Sequence, residues 1–334
     1  MKPAQLLALA LLLPALALAG AEPSLGDDKA SAFKGSQKVA ITEFGVEFYT
    51  QIHAEGRQGG ADARVTTTLA GVGAEDFQAI TEQAYADTVA QLKAAGFEVL
   101  DPAVVNADAD HQALAEEYGA PSPYTFSDSS FGNDKPMISQ IVAPAGMPAY
   151  FSSSLAVVRG GFGQRTDAQN QGRGMKEGEL AKSLGATLLH IHYLVGFGLP
   201  SASKNNALWG GSTARAAIEM GNVLFPQESE WQFVTSAGAR TFTTSSRARH
   251  SGALYLSKPF TSGNNIYALQ DSTSGADKRG DGVMNAMGGL LGGFGQKTKR
   301  GEATPGSAEA YRQDVQQLLS GATTAFASAL AAAR

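Results

Sequence analysis

The chain has 334 residues, a formal net charge of −5 and no cysteine. Without cysteine, disulfides, thiolate metal sites and the lipid-acceptor cysteine of bacterial lipoproteins are all excluded, so stability has to come from a packed core. The mild acidity argues against a nucleic-acid partner, which would want a clustered basic face.

Residues 1–21, MKPAQLLALALLLPALALAGA, combine Lys2, an apolar stretch from Leu6 to Leu18 and small residues at Ala17, Ala19 and Ala21. This is the pattern of a secretory signal peptide. The apolar run is too short to be a membrane span, and no later segment approaches the roughly 20 apolar residues a spanning helix needs. The expectation is an exported protein of the periplasm, soluble or peripherally associated with the outer membrane.

After the signal, residues 22–37 are polar and read as a flexible lead-in. A single α/β domain is then expected over 38–334, with insertions at 120–150 and 239–300. In KVAITEFGVEFYTQI, Val39 and Ile41 alternate on one face while Phe44, Val46 and Phe48 take the opposite parity, so a bulge near Glu43 to Gly45 is needed to reconcile the halves. RVTTTLAGV reads as a second strand paired with it. EDFQAITEQAYADTVAQLKAAG places Phe77, Ile80, Ala84, Thr88 and Leu92 at helical spacing, with acids in the first turn and Gly96 past the end.

FEVLD then predicts a strand and DHQALAEEYG a short helix closed by Gly119. Residues 120–150 hold five prolines among Ser, Gly and Asp, and read as a long loop with a brief strand near MISQIVA. AYFSSSLAVV reads as a strand, KEGELAKSLG as a helix, and TLLHIHYLVGFG as a central strand. STARAAIEMGNVLF, the turn PQES and EWQFVTSAG predict a hairpin. ALYLSKPF and NNIYALQ are candidate strands, while MNAMGGLLGGFG fits neither period. The stripe Tyr311, Val315, Leu318, Ala322, Phe326 and Leu330 predicts a long amphipathic C-terminal helix. The fold class expected is therefore α/β (α+β), a mixed β-sheet packed by helices.

Candidate chemistry centres on His190 and His192, which share one face of their strand as an H-x-H metal pair would. Leu188 and Leu194 flank them there, and Leu189, Ile191, Tyr193, Val195 and Phe197 fill the other face. A strand apolar on both faces is a central one covered by helices, so both imidazoles read as structural. A third ligand would have to be His53, His111, His250 or a distant carboxylate. Asn106, Asp108, Asp110 and Glu117 match positions of a calcium loop, but His111 stands where glycine is needed, and Asp108 or Asp110 reads better as a helix cap. AGVGAEDF lacks a third glycine, and its Glu75 and Asp76 would repel a phosphate. Ser201 and Lys204 have Ser-x-x-Lys spacing and SGN at 262–264 echoes a second motif of penicillin-recognising enzymes, but the third element is only KTK at 297–299. No cofactor or metal is expected, and no catalytic residue is assigned.

The order strand, helix in AYADTVAQLKAAGFEVLD, short helix, ELAKSLGATLLHIHYLVGFG, hairpin and closing helix resembles the periplasmic domain of the curli secretion channel family. It is also similar to the related N-terminal domain of Tol-system propeller proteins. The chain departs in lacking the lipid-acceptor cysteine, in its Pro-rich 120–150 stretch, and in having no alternating 9–11-residue membrane hairpin. The resemblance implies a non-catalytic binding or assembly component of the cell envelope. Its partners would be envelope proteins or itself, through exposed strand edges, with peripheral membrane contact. The expected interaction surface is the 120–150 loop with Tyr124 and Phe131, and the glycine-rich 281–300 segment with Leu290, Leu291 and Phe294. The reading from a different class is a metal-dependent or Ser/Lys hydrolase of envelope polymers.

Overall fold

The computed structural model describes residues 22–58, 61–128, 137–150, 167–206, 212–226, 228–238, 251–282 and 295–334. The signal segment, AYFSSSLAVV beyond Tyr150 and MNAMGGLLGGF lie outside them. The fold is α+β: thirteen strands make one open mixed sheet, with helices packed on both faces.

Its axis is the parallel pair of β2 (Lys38–Gln58) and β7 (Thr187–Asn206), in register from Val39 opposite Thr187 to Phe48 opposite Val195. The register slips between Ile41 and Glu43. Thr42 is the extra residue, and a one-residue bulge inverts which parity faces the core. Val39 and Ile41 thereby join Phe44, Val46 and Phe48 in one buried cluster with Ile191, Tyr193, Val195 and Phe197 of β7.

Helix α1 (Ala74–Ala94) and the C-terminal helix α5 (Ala308–Ala333) cover that face. Every position of the α5 stripe, from Tyr311 to Leu330, is buried, and Phe326 stacks on Trp231 at 5.4 Å between ring centroids. Ser307 caps the helix by accepting from the Ala310 N–H at 3.0 Å. In α1 the two buried threonines donate back into the helix, Thr81 to the Phe77 carbonyl at 2.8 Å and Thr88 to that of Ala84 at 2.7 Å. These bonds keep the buried hydroxyls hydrogen-bonded within the apolar core.

The opposite face carries a smaller core. Ala40, Leu188 and Val234 lie beneath α3 (Ala109–Tyr118) and α4 (Asp167–Leu184), which contribute Leu114, Tyr118, Leu180 and Ala181. Helix α2 (Pro102–Ala107), capped by Asp101, adds Val105.

Strand β7 belongs to two ladders along one edge. Its first half pairs with β9 (Glu230–Val234), and from Val195 onward it pairs with β8 (Ser212–Leu224). The expected hairpin between 212–225 and 230–238 is corrected here. β8 and β9 are both antiparallel to β7 and follow one another along it, so the chain does not reverse between them. Ser229 secures the gap by accepting the Leu194 N–H at 3.1 Å. A second bulge lies between Gly196 and Gly198; a Cβ on Gly198 would come within 2.5 Å of the Ile218 side chain, so glycine is required.

Three further expectations change. Residues 22–37 are tied down: β1 (Leu25–Asp28) pairs with β10 (Gly252–Leu256), and Phe33 is fully buried, edge-to-face with Phe97 and Phe233. The stretch 120–150 is no single loop, because β5 (Tyr124–Asp128) and β6 (Met137–Val142) form an antiparallel pair that joins β2. Within 239–300, β10 and the first half of β13 (Gly295–Pro305) are integral to the sheet. β13 runs parallel to β3 (Ala61–Leu69) and antiparallel to β12 (Tyr267–Asp271).

Inside the larger core, Tyr193 is the polar tie. Its hydroxyl accepts from the Trp231 indole N–H at 2.9 Å and pairs with Thr323 Oγ1 of α5 at 2.8 Å. Burial raises its pKa far above the usual tyrosine value, so it acts as a neutral donor and acceptor. Tyr193→Phe leaves the indole N–H without its acceptor, and urea denaturation should show a loss of about 1–3 kcal/mol.

Candidate functional site

The face of the sheet under α4 becomes polar within the first half of β2 and β7. The Thr42 bulge aims Glu43 and Glu47 to this side, and β7 adds His190 and His192 beside them. On the next strand Gln232 lies opposite His190 and Glu230 opposite His192. All six side chains are buried, Glu47 and Glu230 almost completely. Burying this many ionisable groups is costly unless they are paired and hydrogen-bonded.

The pairing comes from α4. Arg173 bonds Glu43 through Nη2 and Glu177 through Nε, the latter at 2.5 Å, and is itself only 4% exposed. The guanidinium carbon lies 4.9 Å from the Tyr150 ring centroid and 5.3 Å from that of Tyr118, so aromatic faces replace water around the buried cation. Burial pushes the Tyr118 phenol up to about 12, helped by its hydrogen bond to Glu117 and by the charges of Glu117 and Glu177. His190 Nε2 sits 3.5 Å from Glu43 Oε1 and 3.6 Å from Glu177 Oε1.

One strand step away, Ser139 of β6 donates to Glu47 Oε1 at 2.5 Å, and His192 Nε2 lies 3.7 Å from Glu47 Oε2. Gln232 Nε2 donates to Glu230 Oε1, also at 2.5 Å. The result is a continuous polar layer across β6, β2, β7 and β9.

Glu43, Glu177 and His190 place their donor atoms within 4.8 Å of one another, the spread that a single cation would bridge. The distant carboxylates needed to complete the histidine site are therefore present. What stands between them is a cation from the chain itself: the guanidinium already bonds both carboxylates, so a metal ion would have to displace it. The His pair is buried on a central strand, but its surroundings differ from what the sequence suggested. The imidazoles fill a layer of charge, not an apolar one.

The remaining sequence candidates separate. Asp108 accepts from the N–H groups of Asp110 and His111 and so caps α3, while Glu117 pairs with Lys176, so two of the four calcium-loop side chains are committed to other roles. Ser201 lies on β7, with its hydroxyl donating to the Ala217 carbonyl across the ladder. Asp76 accepts from the Gly73 N–H and pairs with Arg312. Tyr124 is half-buried on β5, packed with Phe126, Ile141 and Ala149. Phe131, Leu290, Leu291 and Phe294 lie outside the described residues. The partners Arg173, Glu177 and Glu230 were not singled out from the sequence. One signal was available: the parity change that gathers the apolar residues of β2 on one face sends Glu43 and Glu47 to the other.

Comparison of the chain with family models, with curated proteins and with solved structures returned no match.

Two outcomes follow from this geometry. Arg173→Leu strands two buried carboxylates and should cost about 3–5 kcal/mol in a denaturant titration. Arg173→Lys should recover little of this, since an ammonium lacks the fork that reaches both oxygens. The second concerns His111, whose pKa is lowered from 6.5 chiefly by burial, against weaker opposing pulls from the Thr42 carbonyl and Asp108. The unfolded chain then takes up this proton more readily than the fold does. His111's contribution to stability is full above pH 6.5 and is lost as pH falls through the lower, folded value. Denaturation midpoints followed across that range should fall more steeply in the wild type than in His111→Gln.

Proposed function

We propose that this chain is a non-catalytic, exported assembly or binding component of the cell envelope, working through its long β-ribbons and self-associating along them. The observation that carries this reading is the ribbon formed by β7 beyond Gly198 and by β8. Strands usually run about 5–6 residues, whereas β2 and β7 have 21 and 20. At about 3.3 Å per residue each spans about 65 Å. β2 contributes buried residues to the core as far as Ile52 and β7 as far as Phe197. The second half of β2 pairs with β3, and that of β7 with β8.

Among the described residues, β8 is hydrogen-bonded as a strand only to β7 and, at its base, to the two-residue β11 (Phe260–Thr261), while it also lies near β2 and β3. A ribbon with open N–H and C=O groups is a template for strand addition by another chain. A second copy offers the same edge and thus a self-complementary partner. No helix among the described residues is long and apolar enough to cross a membrane; strands are a separate matter. The sequence-level resemblance to curli secretion-type domains points the same way.

The competing reading, a metal-dependent hydrolase, has the Glu43, Glu177 and His190 grouping in its favour. Against it, Arg173 holds the two carboxylates. Metal analysis of purified protein distinguishes the two: stoichiometric zinc or manganese lost in His190→Ala would favour the enzyme.

Because the chain has no cysteine, single introduced thiols report on one position each. Ala217→Cys and Glu219→Cys on β8 should give disulfide-linked dimers under mild oxidation, while Val104→Cys on α2 should stay monomeric. Light scattering should show an oligomer with or without detergent. A monomer in both conditions with no edge-specific cross-link would sink the self-association proposal.

A further inference from the structure

At the end of the sheet where β2 and β7 begin, away from the buried charge layer, lies an open cleft of about 710 Å³. This is within the range of small-molecule sites. One wall is the turn from Ala32 to Lys38, another the end of α4 with Gly185 to Thr187, and the third the residues Thr235 to Ala237 that follow β9. Lys34, Lys38 and Lys182 line it, and no acidic residue does. In a chain of net charge −5, three ammonium groups facing one concavity are a local inversion of the overall field.

The carboxylates near these lysines leave them available. Glu98 reaches Lys38 from the rim at 3.2 Å and Glu179 reaches Lys182 at 4.0 Å, both pairs being largely solvent-exposed and therefore weak. Lys34 has no carboxylate within 4.0 Å among the described residues.

The cleft is also built to donate. Ser36 Oγ and Thr187 Oγ1 lie 2.7 Å apart and join two of its walls. Two hydroxyls sharing one hydrogen bond use one of their two hydrogens, leaving the other O–H to donate to a ligand.

One feature ought to repel an anion here, namely the carbonyl end of α4. Its geometry removes most of that penalty. Gly185, at φ +58°, bonds back from its N–H to the Lys182 carbonyl at 3.2 Å, and the Ala186 N–H reaches the Ala181 carbonyl at 3.1 Å. This closing motif consumes last-turn carbonyls within the chain, and Lys182 adds a positive charge beside them.

We propose that this cleft binds a phosphate-bearing ligand, with the three lysines as point charges around the phosphate oxygens and the Ser36/Thr187 pair as a neutral donor. Lysine suits the near-spherical charge of a phosphate, since it needs no planar match. A free phosphate ester and the headgroup of an anionic phospholipid present the same chemistry, and the experiment separates them.

The test uses the mature chain, the variant Lys34→Gln/Lys38→Gln/Lys182→Gln, and the charge-matched control Lys93→Gln/Lys258→Gln/Lys278→Gln. Calorimetric titration with inorganic phosphate and with glycerol 3-phosphate probes free anions. Flotation with vesicles of phosphatidylglycerol in phosphatidylcholine, against pure phosphatidylcholine, probes headgroups. The wild type should bind in at least one arm, more weakly as salt rises. The cleft variant should bind about tenfold or more weakly, while the control stays within about twofold. Binding of soluble phosphate identifies a free ester as the ligand, and binding only to anionic vesicles identifies a lipid headgroup. Absence of binding in both arms, or equal losses in the two triple variants, would overturn the proposal.

Discussion

A single extra residue governs this structure. The bulge at Thr42 changes the parity of β2 between Ile41 and Glu43, and the β2–β7 pair is sandwiched between both helix layers. A parallel pair has to be covered on both faces. One parity brings Val39, Ile41, Phe44, Val46 and Phe48 into a single apolar surface under α1 and α5. The same shift sends Glu43 and Glu47 to the opposite face, toward the imidazoles of β7. Without the bulge the two halves of β2 would bury opposite sides. Either the aromatic core or the carboxylate layer would then face the wrong helices.

The carboxylate layer in turn explains α4. A helix carrying Arg173 and Glu177 four residues apart is an ordinary surface helix by its sequence, yet here both side chains are buried. Arg173 is held by two acids and two tyrosine rings, and this ties α3, α4, β2 and the Tyr150 segment to one point. Replacing such a cluster with apolar residues of equal volume is often neutral or stabilising, so its value lies in fixing which helix docks where. The layer therefore acts as a registration device between the helical face and the strands.

Much of the fold was legible because its elements repeat their period for long stretches. The α1 stripe runs for about four turns and the α5 stripe for about five, and every residue read as inward in α5 is buried. The need for a bulge in β2 was visible in its two runs of opposite parity. What failed was local sequence asked to settle a non-local question. PQES looks like a hairpin turn, but whether β8 folds back on β9 or follows it along β7 depends on an edge more than twenty residues away. Phe33 anchors a stretch otherwise too polar to look ordered. β13 carries Lys297, Lys299 and Arg300 and reads as a loop; it is a strand because β3 and β12 flank it. The histidines were found, but their partners come from β2 and α4, and no spacing along the chain announces a contact made by topology.

The dependence of the larger core on α5 sets an order in time. Tyr311, Val315, Leu318, Phe326 and Leu330 close a surface laid down by strands made long before, and β3 has to wait for β13 to emerge before it gains its parallel neighbour. A nascent chain can therefore form hairpins early but cannot bury its main aromatic cluster until residue 330 has left the ribosome. Sheets assembled from such remote pieces fold slowly. That delay keeps the polypeptide threadable for most of its synthesis.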